Sequence, residues 1–374
     1  MTNKYRLAVI GAGEGGLSIL KKAQSMPEVA TIAFGQADSM GRGLADEFVA
    51  TDINDIEYVI TKCKDFGVNG VIGTSESTTE VTAVIADRLG LPGNDISQGF
   101  GARNKYVMRQ RVSELKTIRQ PRFELYVEGK KYEYPIVVKS LDSCGKRGVS
   151  VAHNDEELRD AVSYSQEYST GGKVLIEEFL AGGKEYSIEC LAGCGLYEVI
   201  QITEKDSAGP PHFTENGHHQ PAKLGVEMKE RINVAAIDVL KTLGIRCGMA
   251  HMEIKIIDNN LYFIEVGARG GGDHISDILT VNSTDFDYFK AAIECCLGIY
   301  EHKEVHQVAY TGIYFHCKDN EYLKPIFDKA KTADWCIVNT VTSDLFDVAN
   351  SNVETAKSGY IIYKSDRKIT LDSI

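Results

Sequence analysis

Apolar and polar residues alternate most regularly between residues 250 and 266. Over 250–256 the apolar side chains occupy every second position, which is the period of a half-buried β-strand. Turn-forming residues follow at 258–260, and 261–266 again has the composition of a strand. The pattern predicts a β-hairpin whose polar face carries His251, Glu253, Lys255 and Glu265.

The length of the hairpin loop decides which residues face each other. A three-residue loop at 258–260 places Glu253 directly opposite Glu265, whereas a two-residue loop shifts the register and sends Glu265 to the other face. Two carboxylates with Cβ atoms about 5 Å apart repel each other unless a positive group lies between them. We predict the three-residue loop and a hard divalent cation that also holds phosphate. The alternative is a surface hairpin with two solvated glutamates.

Directly after the second predicted strand, a positively charged side chain precedes three residues whose backbone is not covered by side chains. Arg269 is followed by Gly270, Gly271 and Gly272. A guanidinium group and exposed N–H groups both suit negative charge that develops during a reaction. This segment is therefore a candidate for catalysis.

Strand-like and helix-like segments alternate over the first 93 residues, which predicts a small parallel α/β domain. The strands are expected at 5–10, 31–34 and 70–73, and the helices at 17–25, 56–66 and 79–89. The turn at 11–16 fits G-x-G-x-x-G, the dinucleotide fingerprint, and Asp38 could then hold a ribose. The alternative is a tight turn that needs glycine without binding a dinucleotide.

The middle of the chain carries candidate nucleotide contacts. A helix predicted from residue 104 carries Lys105, and a strand at 136–139 ends in Lys139. The basic, glycine-containing loop at 140–149 could close over polyphosphate, because backbone N–H groups and cations bind anions there. An ordinary hairpin loop is the alternative. Strands are also expected at 123–127 and 173–176, with a helix at 155–168.

The region 203–223 is polar throughout and contains His212, His218 and His219. Three histidines suggest a metal, but they lack the spacing of a zinc site, so we predict a long substrate-facing lid instead. A strand is expected before it at 186–191. One-sided apolar positions predict helices at 226–243 and around 286–296, and three strands follow at 308–316, 335–341 and 359–363.

Length, net charge, hydropathy and cysteine content exclude several classes of protein. The 374 residues suffice for two or three domains or one enzyme of several lobes. A net charge of −12 argues against a nucleic-acid partner, although a nucleotide needs only a local cluster of lysines. No apolar stretch approaches a membrane span of about 18 residues, and no signal peptide is visible. Nine scattered cysteines without a CxxC pair suggest reduced thiols and a cytoplasmic location.

Taken in order, these motifs resemble the ATP-grasp superfamily of carboxylate–amine ligases, from the first glycine-rich turn to about residue 300. The motifs are Asn104-Lys105-Tyr106, Val138-Lys139, the 143–148 loop, the 177–180 segment with Glu185, and Glu253 with Glu265 and Arg269. The resemblance implies an α/β fold with three parts. These are a Rossmann-like pre-ATP-grasp domain at 1–103, a small lobe at 104–185, and a large lobe with a β-rich C-terminal subdomain at 186–374.

The resemblance also implies which residues contact ATP. Two lysines would contact the phosphates and a loop would cover them, whereas a glutamate would accept from the adenine amino group, with the next backbone segment beside the ring. The residues so implied are Lys105, Lys139, Ser143, Gly145, Gly148, Glu177, Glu178, Phe179, Leu180 and, for the ribose hydroxyls, Glu185.

The resemblance further implies that Glu253 and Glu265 bind Mg²⁺ or Mn²⁺ at the phosphates. Arg269 would stabilise an acyl phosphate and a tetrahedral intermediate, and His251 and Gly271 would line the substrate pocket. In much of the family an asparagine two residues after the second glutamate is a further metal ligand. Here that position is Gly267.

The implied reaction has two steps, in which a carboxylate attacks the γ-phosphate of ATP and an amine then displaces phosphate. The forms of 216–222 and 265–273 are most similar to bacterial amino-acid ligases that make dipeptides. Small-molecule substrates and a homodimer are therefore expected, without nucleic acid or membrane. The alternatives are an ATP-grasp enzyme acting on another carboxylate in nucleotide, cofactor or sugar metabolism, an NAD-dependent oxidoreductase using 11–16, and a nucleotide-binding regulator without chemistry.

Overall fold

The computed structural model describes residues 4–145, 147–207, 215–341 and 359–374. In these ranges the helices are α1 (Glu14–Gln24), α2 (Ile56–Phe66), α3 (Thr79–Leu89), α4 (Lys105–Val112), α5 (Asp155–Glu167), α6 (Val226–Leu243), α7 (Val281–Ser283), α8 (Tyr288–Cys296) and α9 (Lys324–Ala330). The strands are β1 (Tyr5–Ile10), β2 (Val29–Gly35), β3 (Glu47–Ala50), β4 (Gly70–Gly73), β5 (Phe123–Leu125), β6 (Ile136–Ser140), β7 (Val149–Ala152), β8 (Val174–Glu178), β9 (Lys184–Gly193), β10 (Leu196–Ser207), β11 (Glu215–Gln220), β12 (Gly248–Ile257), β13 (Asn260–Gly267), β14 (Tyr310–Phe315), β15 (Cys336–Asn339) and β16 (Tyr360–Ser365). Within the same ranges, no helix is long and apolar enough to cross a membrane.

The first sheet is parallel, with the strand order β3-β2-β1-β4. Helices cover both of its faces, so its central strands β1 and β2 are mostly apolar, as expected for a doubly covered parallel sheet. In β1, Leu7 packs with α1, whereas Ala8 and Ile10 pack with α2 and α3. The predicted parallel α/β arrangement of this part of the chain is confirmed.

Capping residues explain why several helix bounds agree with the sequence pattern. The Asp55 carboxylate accepts a hydrogen bond from the Tyr58 N–H at the start of α2, which satisfies a donor that the helix leaves free. Helices α2, α3 and α6 end at Gly67, Gly90 and Gly244, each in the left-handed conformation. Glycine adopts that conformation without steric cost.

The second sheet is antiparallel, with the order β5-β8-β6-β7. Helix α5 covers one face, where Leu158 and Val162 pack with Val138 and Ile176. The other face is turned toward the third sheet and lines a cleft between them.

The third sheet has eight strands in the order β13-β12-β9-β10-β11-β14-β16-β15. Helix α6 covers one face, with Ile232 and Val239 packed on residues of β9 and β12. Helix α8 covers part of the other face, and its Phe289 and Ile293 also pack with Leu7 of the first sheet. The first and third sheets therefore share one apolar core through α8.

The predicted long polar loop at 203–223 is wrong for much of its length. Strand β10 continues to Ser207, and β11 pairs with both β10 and β14. These polar side chains are buried because they satisfy each other, as when Gln220 donates to the Thr203 hydroxyl at 2.9 Å. The part of the predicted lid at 208–214, with His212, lies outside the described residues.

The predicted pairing of the two hairpin carboxylates is confirmed, whereas the predicted three-residue loop is wrong. Glu253 does pair with Glu265, but Ile257 pairs with Asn260, so the loop has two residues. A β-bulge after Glu253 restores the register, because Ile264 is an extra residue on β13. Both loop residues have positive φ values, as two-residue hairpin turns require.

We predict that the hairpin turn is sensitive to side-chain branching at position 259. Asn259 has φ +62°, and a β-branched residue is strained there, whereas glycine is not. Asn259→Val should lower the free energy of unfolding by about 1–2 kcal/mol, and Asn259→Gly should leave it unchanged or raise it. Urea unfolding measures both, and equal stability of the two variants would contradict the assigned turn.

Candidate active site

A cleft with a cavity volume of about 140 Å³ lies between the second sheet and the hairpin β12–β13. Many of the predicted nucleotide and metal contacts line it together: Lys105, Lys139, Ser143, Gly145, Glu177, Glu178, Phe179, Leu180, Glu185, Glu253 and Glu265. Apolar side chains also line it, among them Val137, Val149 and Ile264. The cleft thus combines apolar walls with lysines and carboxylates.

Glu177 is the most tightly held carboxylate of the cleft. It is 3% exposed, and its two oxygens lie 2.6 Å from Arg109 Nε and 2.7 Å from Lys139 Nζ. Burial disfavours the carboxylate, but Arg109 and Lys139 outweigh it and lower the pKa of Glu177 to about 2. Arg109 is missed by the sequence analysis, although it is almost fully buried and also donates to the Phe263 carbonyl at 2.8 Å.

The loop between β6 and β7 approaches the cleft from one side. Lys105 Nζ donates to the Ser143 carbonyl at 2.6 Å and lies 3.6 Å from Glu265 Oε2. Gly145 lines the cleft, whereas Gly148 lies at the base of the loop, where a Cβ would be 3.0 Å from the Ser140 side chain. Gly148 therefore shapes the loop, and Lys146 lies outside the described residues.

The two predicted metal ligands face the cleft from neighbouring strands. Glu253 Oε1 lies 2.5 Å from Lys205 Nζ, and Lys205 also lies 3.2 Å from Glu215. Burial opposes the charge of Lys205, but Glu215 and Glu253 outweigh it and raise its pKa. Burial likewise opposes the charge of Glu253, while Lys205 and His251 lower its pKa well below the usual value. Lys205 is missed by the sequence analysis because the prediction placed it in a loop.

The donor set of this pair fits a hard cation. Carboxylate oxygens are the ligands that Mg²⁺ prefers, and Mg²⁺ is commonly held by one or two carboxylates together with substrate phosphates. Among the described residues there is no group of three or more potential side-chain ligands. Glu253 and Glu265 would hold such an ion together with the phosphates, and the position two residues after Glu265 is Gly267.

A second polar cluster adjoins the carboxylate pair on the same face of the third sheet. Glu189 is fully buried and accepts from the Gly271 N–H at 3.0 Å, from the Ser276 hydroxyl at 2.6 Å and from His251 Nδ1. His251 Nε2 lies 3.4 Å from Glu253 Oε1. Because the Gly271 N–H is already bound, this glycine fixes the loop after β13 against β9.

The carboxylates on either side of His251 favour its charged form. Burial disfavours the imidazolium, but Glu189 and Glu253 outweigh it and raise the pKa of His251 to about 9. Burial also opposes the charge of Glu189, while its bonds from His251, Ser276 and Gly271 lower its pKa. The sequence analysis assigns no role to Glu189, although this acid lies between the apolar residues Ile188 and Cys190 of β9.

Arg269 lies beside this cluster and contacts a residue of the first 93. Its Nε lies 3.0 Å from Glu76 Oε2, and its Nη1 donates to the Gly270 carbonyl at 2.8 Å. Glu76, in the loop after β4, is also missed by the sequence analysis. The predicted residues Arg269, His251 and Gly271 are thus close together, next to the cleft and not on its walls.

The histidines of the predicted lid have other partners. His219 is buried between Asp206 at 3.1 Å and the Tyr363 hydroxyl at 3.0 Å. His218 Nε2 lies 3.4 Å from Asp273, in the loop that follows Arg269. Neither histidine lines the cleft.

The ion pairs of Glu177 predict a pH dependence of stability. Because its pKa falls from 4.5 to about 2 on folding, its stabilisation is complete above pH 4.5 and is lost as the pH falls toward 2. The advantage of the wild type over Glu177→Gln in free energy of unfolding should therefore shrink, by about 3 kcal/mol between neutral pH and pH 2. Urea unfolding from pH 7 to pH 3 measures the trend. A difference that stays constant with pH would contradict the assigned ion pairs.

Comparisons with known proteins cover the same region. Residues 132–277 match the family model of the ATP-grasp domain. Dapdiamide A synthase of Enterobacter agglomerans is 24% identical over 305 residues, which cover 73% of this chain and 69% of that protein. D-alanine–D-alanine ligase of Fervidobacterium nodosum is 24% identical over 262 residues, which cover 61% of this chain and 80% of that protein.

The fold is also shared along nearly the whole chain. The crystal structure of an L-amino acid ligase from Bacillus licheniformis superposes with a TM-score of 0.79 at 22% identity, covering 98% of this chain and 95% of that one. The matched range includes β6, β7 and β8 of the second sheet, the hairpin and Arg269. Residues 132–277 therefore form an ATP-grasp domain, as the ordered motifs of the sequence predict, and the chain as a whole has the fold of that ligase structure.

Proposed function

We propose that the protein uses ATP to activate the carboxylate of an amino acid as an acyl phosphate and joins it to an amine, releasing ADP and phosphate. One observation carries the proposal. The paired carboxylates Glu253 and Glu265 line the cleft, and Arg269 and His251 lie beside them, outside its walls. A γ-phosphate at the carboxylates would thus lie between a nucleotide site and a cationic substrate site.

The cleft suits ATP in both shape and charge. Its apolar walls, with Val137 and Ile264, accommodate a flat ring, and Glu177 could accept from an adenine amino group. Lys105 and Lys139 supply positive charge for the phosphates, beside the loop that contains Ser143. In the ATP complex we expect Lys139 to exchange part of its ion pair with Glu177 for a phosphate oxygen.

Glu253 and Glu265 would hold Mg²⁺, which neutralises phosphate charge when it is bound. The same two carboxylates contact Lys205 and Lys105. These lysines offset the repulsion between two like charges that lie side by side. We expect Lys105 to turn toward the phosphates when the ion and nucleotide bind.

In the first step, an oxygen of the substrate carboxylate attacks the γ-phosphorus, and the bond from that phosphorus to ADP breaks. In the second step, the amine nitrogen attacks the acyl carbon and loses a proton, and phosphate leaves. Arg269 would bind the oxygens that carry charge in both steps, and the His251 imidazolium adds a second positive charge nearby. The protein mainly positions groups and balances charge, as is usual for phosphoryl transfer.

An amino acid is the proposed carboxylate because three similar proteins bear the names L-amino acid ligase, D-alanine–D-alanine ligase and dapdiamide A synthase. The test is phosphate release from ATP and magnesium, with the twenty amino acids supplied singly and in pairs. We expect release that requires specific amino acids and is abolished in Glu265→Gln. Release that persists in Glu265→Gln would contradict the metal assignment, and silence across the whole panel would contradict an amino-acid substrate.

We further predict that Arg269 contributes to chemistry more than to ATP binding, because its partner charge develops during the reaction. Arg269→Ala should lower kcat about 100-fold or more, with a change of less than about twofold in the Kd of ATP. Steady-state kinetics and calorimetric ATP titration measure the two quantities. Arg246→Ala is a matched control, since Arg246 pairs with Asp95 on the surface. A variant in which only the Kd of ATP changes would contradict the role.

A further inference from the structure

The glycine-rich turn at 11–16 packs closely against the loop at 74–78, which follows β4. A Cβ at Gly15 would lie 2.8 Å from the Thr74 carbonyl oxygen, and a Cβ at Gly11 would lie 2.8 Å from the Thr78 side chain. The Thr74 hydroxyl donates to the Gly11 carbonyl at 2.9 Å. The close approach that these glycines allow is therefore an approach of the protein's own 74–78 loop.

The 74–78 loop is held in shape by its own hydrogen bonds. The Thr78 hydroxyl accepts from the N–H groups of Thr74 at 3.0 Å and Ser75 at 3.1 Å, and it donates to the Ser75 carbonyl at 2.9 Å. Glu76 lies at the centre of this loop, opposite the glycine-rich turn. A carboxylate on such a loop has a defined position relative to the third sheet.

Glu76 occupies the space that a side chain at position 267 would need. A Cβ at Gly267 would lie 2.7 Å from Glu76 Oε2, and the same oxygen lies 3.0 Å from Arg269 Nε. A side chain at position 267, such as the asparagine expected from the resemblance, would require the end of the Glu76 side chain to move. Gly267 therefore leaves room for the contact between Glu76 and Arg269.

Arg269 needs such an anchor because several carboxylates attract it. Burial disfavours its charge, but Glu76, Glu265, Glu253 and Glu189 outweigh this and raise the pKa of Arg269. Two of these are the proposed metal ligands. Glu76 makes the direct contact, at 3.0 Å, so it opposes movement of the guanidinium toward the other carboxylates.

We propose that Glu76 is a positioning residue that holds Arg269 for the reaction, and that the turn at 11–16 serves to place the loop carrying it. The effect on catalysis rests on the proposed function of Arg269, whereas the contact itself does not. Glu76 acts only through Arg269 in this proposal. That condition separates it from a residue that binds substrate or metal directly.

A double-variant cycle tests this condition. Glu76→Ala should lower kcat about 10- to 100-fold, with the Kd of ATP changed by less than about twofold. Glu76→Gln keeps an oxygen acceptor for Arg269 Nε and should therefore lower kcat by a smaller factor than Glu76→Ala. Measured at high enzyme concentration in the Arg269→Ala background, Glu76→Ala should have almost no further effect. An equal loss in both backgrounds, or no loss in the wild-type background, would overturn the proposal.

Matched controls come from the same part of the chain. Glu57→Ala removes an exposed carboxylate paired with Arg88 and should leave kcat unchanged. Gly15→Ala should displace the 74–78 loop and lower kcat in the same way as Glu76→Ala, whereas Gly13→Ala places its Cβ in open space and should not. Equal activity of the Gly15 and Gly13 variants would overturn the assigned role of the turn.

Urea unfolding tests the contact without any substrate. The decrease in the urea midpoint of the Glu76→Ala/Arg269→Ala double variant should be smaller than the sum of the decreases of the two single variants, because each single change removes the same ion pair. Additive losses would overturn the contact. This result does not depend on turnover, so it distinguishes failure of the Glu76 proposal from failure of the ligase proposal, in which no carboxylate would support phosphate release.

Discussion

The site depends on holding several carboxylates close together, each beside a positively charged side chain. Glu76, Glu189, Glu253 and Glu265 all lie near Arg269. Like charges that lie close together in a site shielded from water repel each other strongly. Each has a cationic partner: Arg269 for Glu76, His251 for Glu189, Lys205 for Glu253 and Lys105 for Glu265. These partners offset the repulsion between the carboxylates, and two of them, Lys205 and Lys105, contact the carboxylates that would hold a metal ion.

This arrangement follows from strand register. Opposed positions on β9, β12 and β13 place Glu189 across from His251, and Glu253 across from Glu265. Residues two apart on a strand share a face, so the polar residues meet on one side while Ala250, Met252 and Ile254 pack under α6. A shift of one residue in either strand pairing would turn the apolar side chains toward the site and the polar side chains toward the core.

Much of this could be predicted from the sequence because it depends on local pattern. The two-residue period of 250–256, the one-sided helix at 226–243 and the glycine-capped helices of the first 93 residues all have local causes. The ordered motifs then indicate ATP-grasp chemistry. The residues that the analysis missed have distant partners: Arg109 contacts Glu177, Lys205 contacts Glu253 and Glu76 contacts Arg269.

The two structural errors have a common origin. The 203–223 prediction treated polar residues as exposed, but the side chains of Thr203, Lys205 and Gln220 are buried because they bind one another or other polar groups across strands. The hairpin prediction reached the correct pairing through the wrong loop, since a bulge at Ile264 compensates for the shorter turn. Neither compensation is visible in a single strand.

The central claim is that a substrate carboxylate becomes an acyl phosphate, and isotope transfer tests it most directly. An amino-acid substrate labelled with ¹⁸O in its carboxylate would be turned over with ATP and the amine, and the released phosphate analysed by mass spectrometry. The account predicts one ¹⁸O atom in the phosphate, because the bridging oxygen of the acyl phosphate leaves with phosphorus. Phosphate without ¹⁸O, formed at the same rate as the amide product, would contradict it.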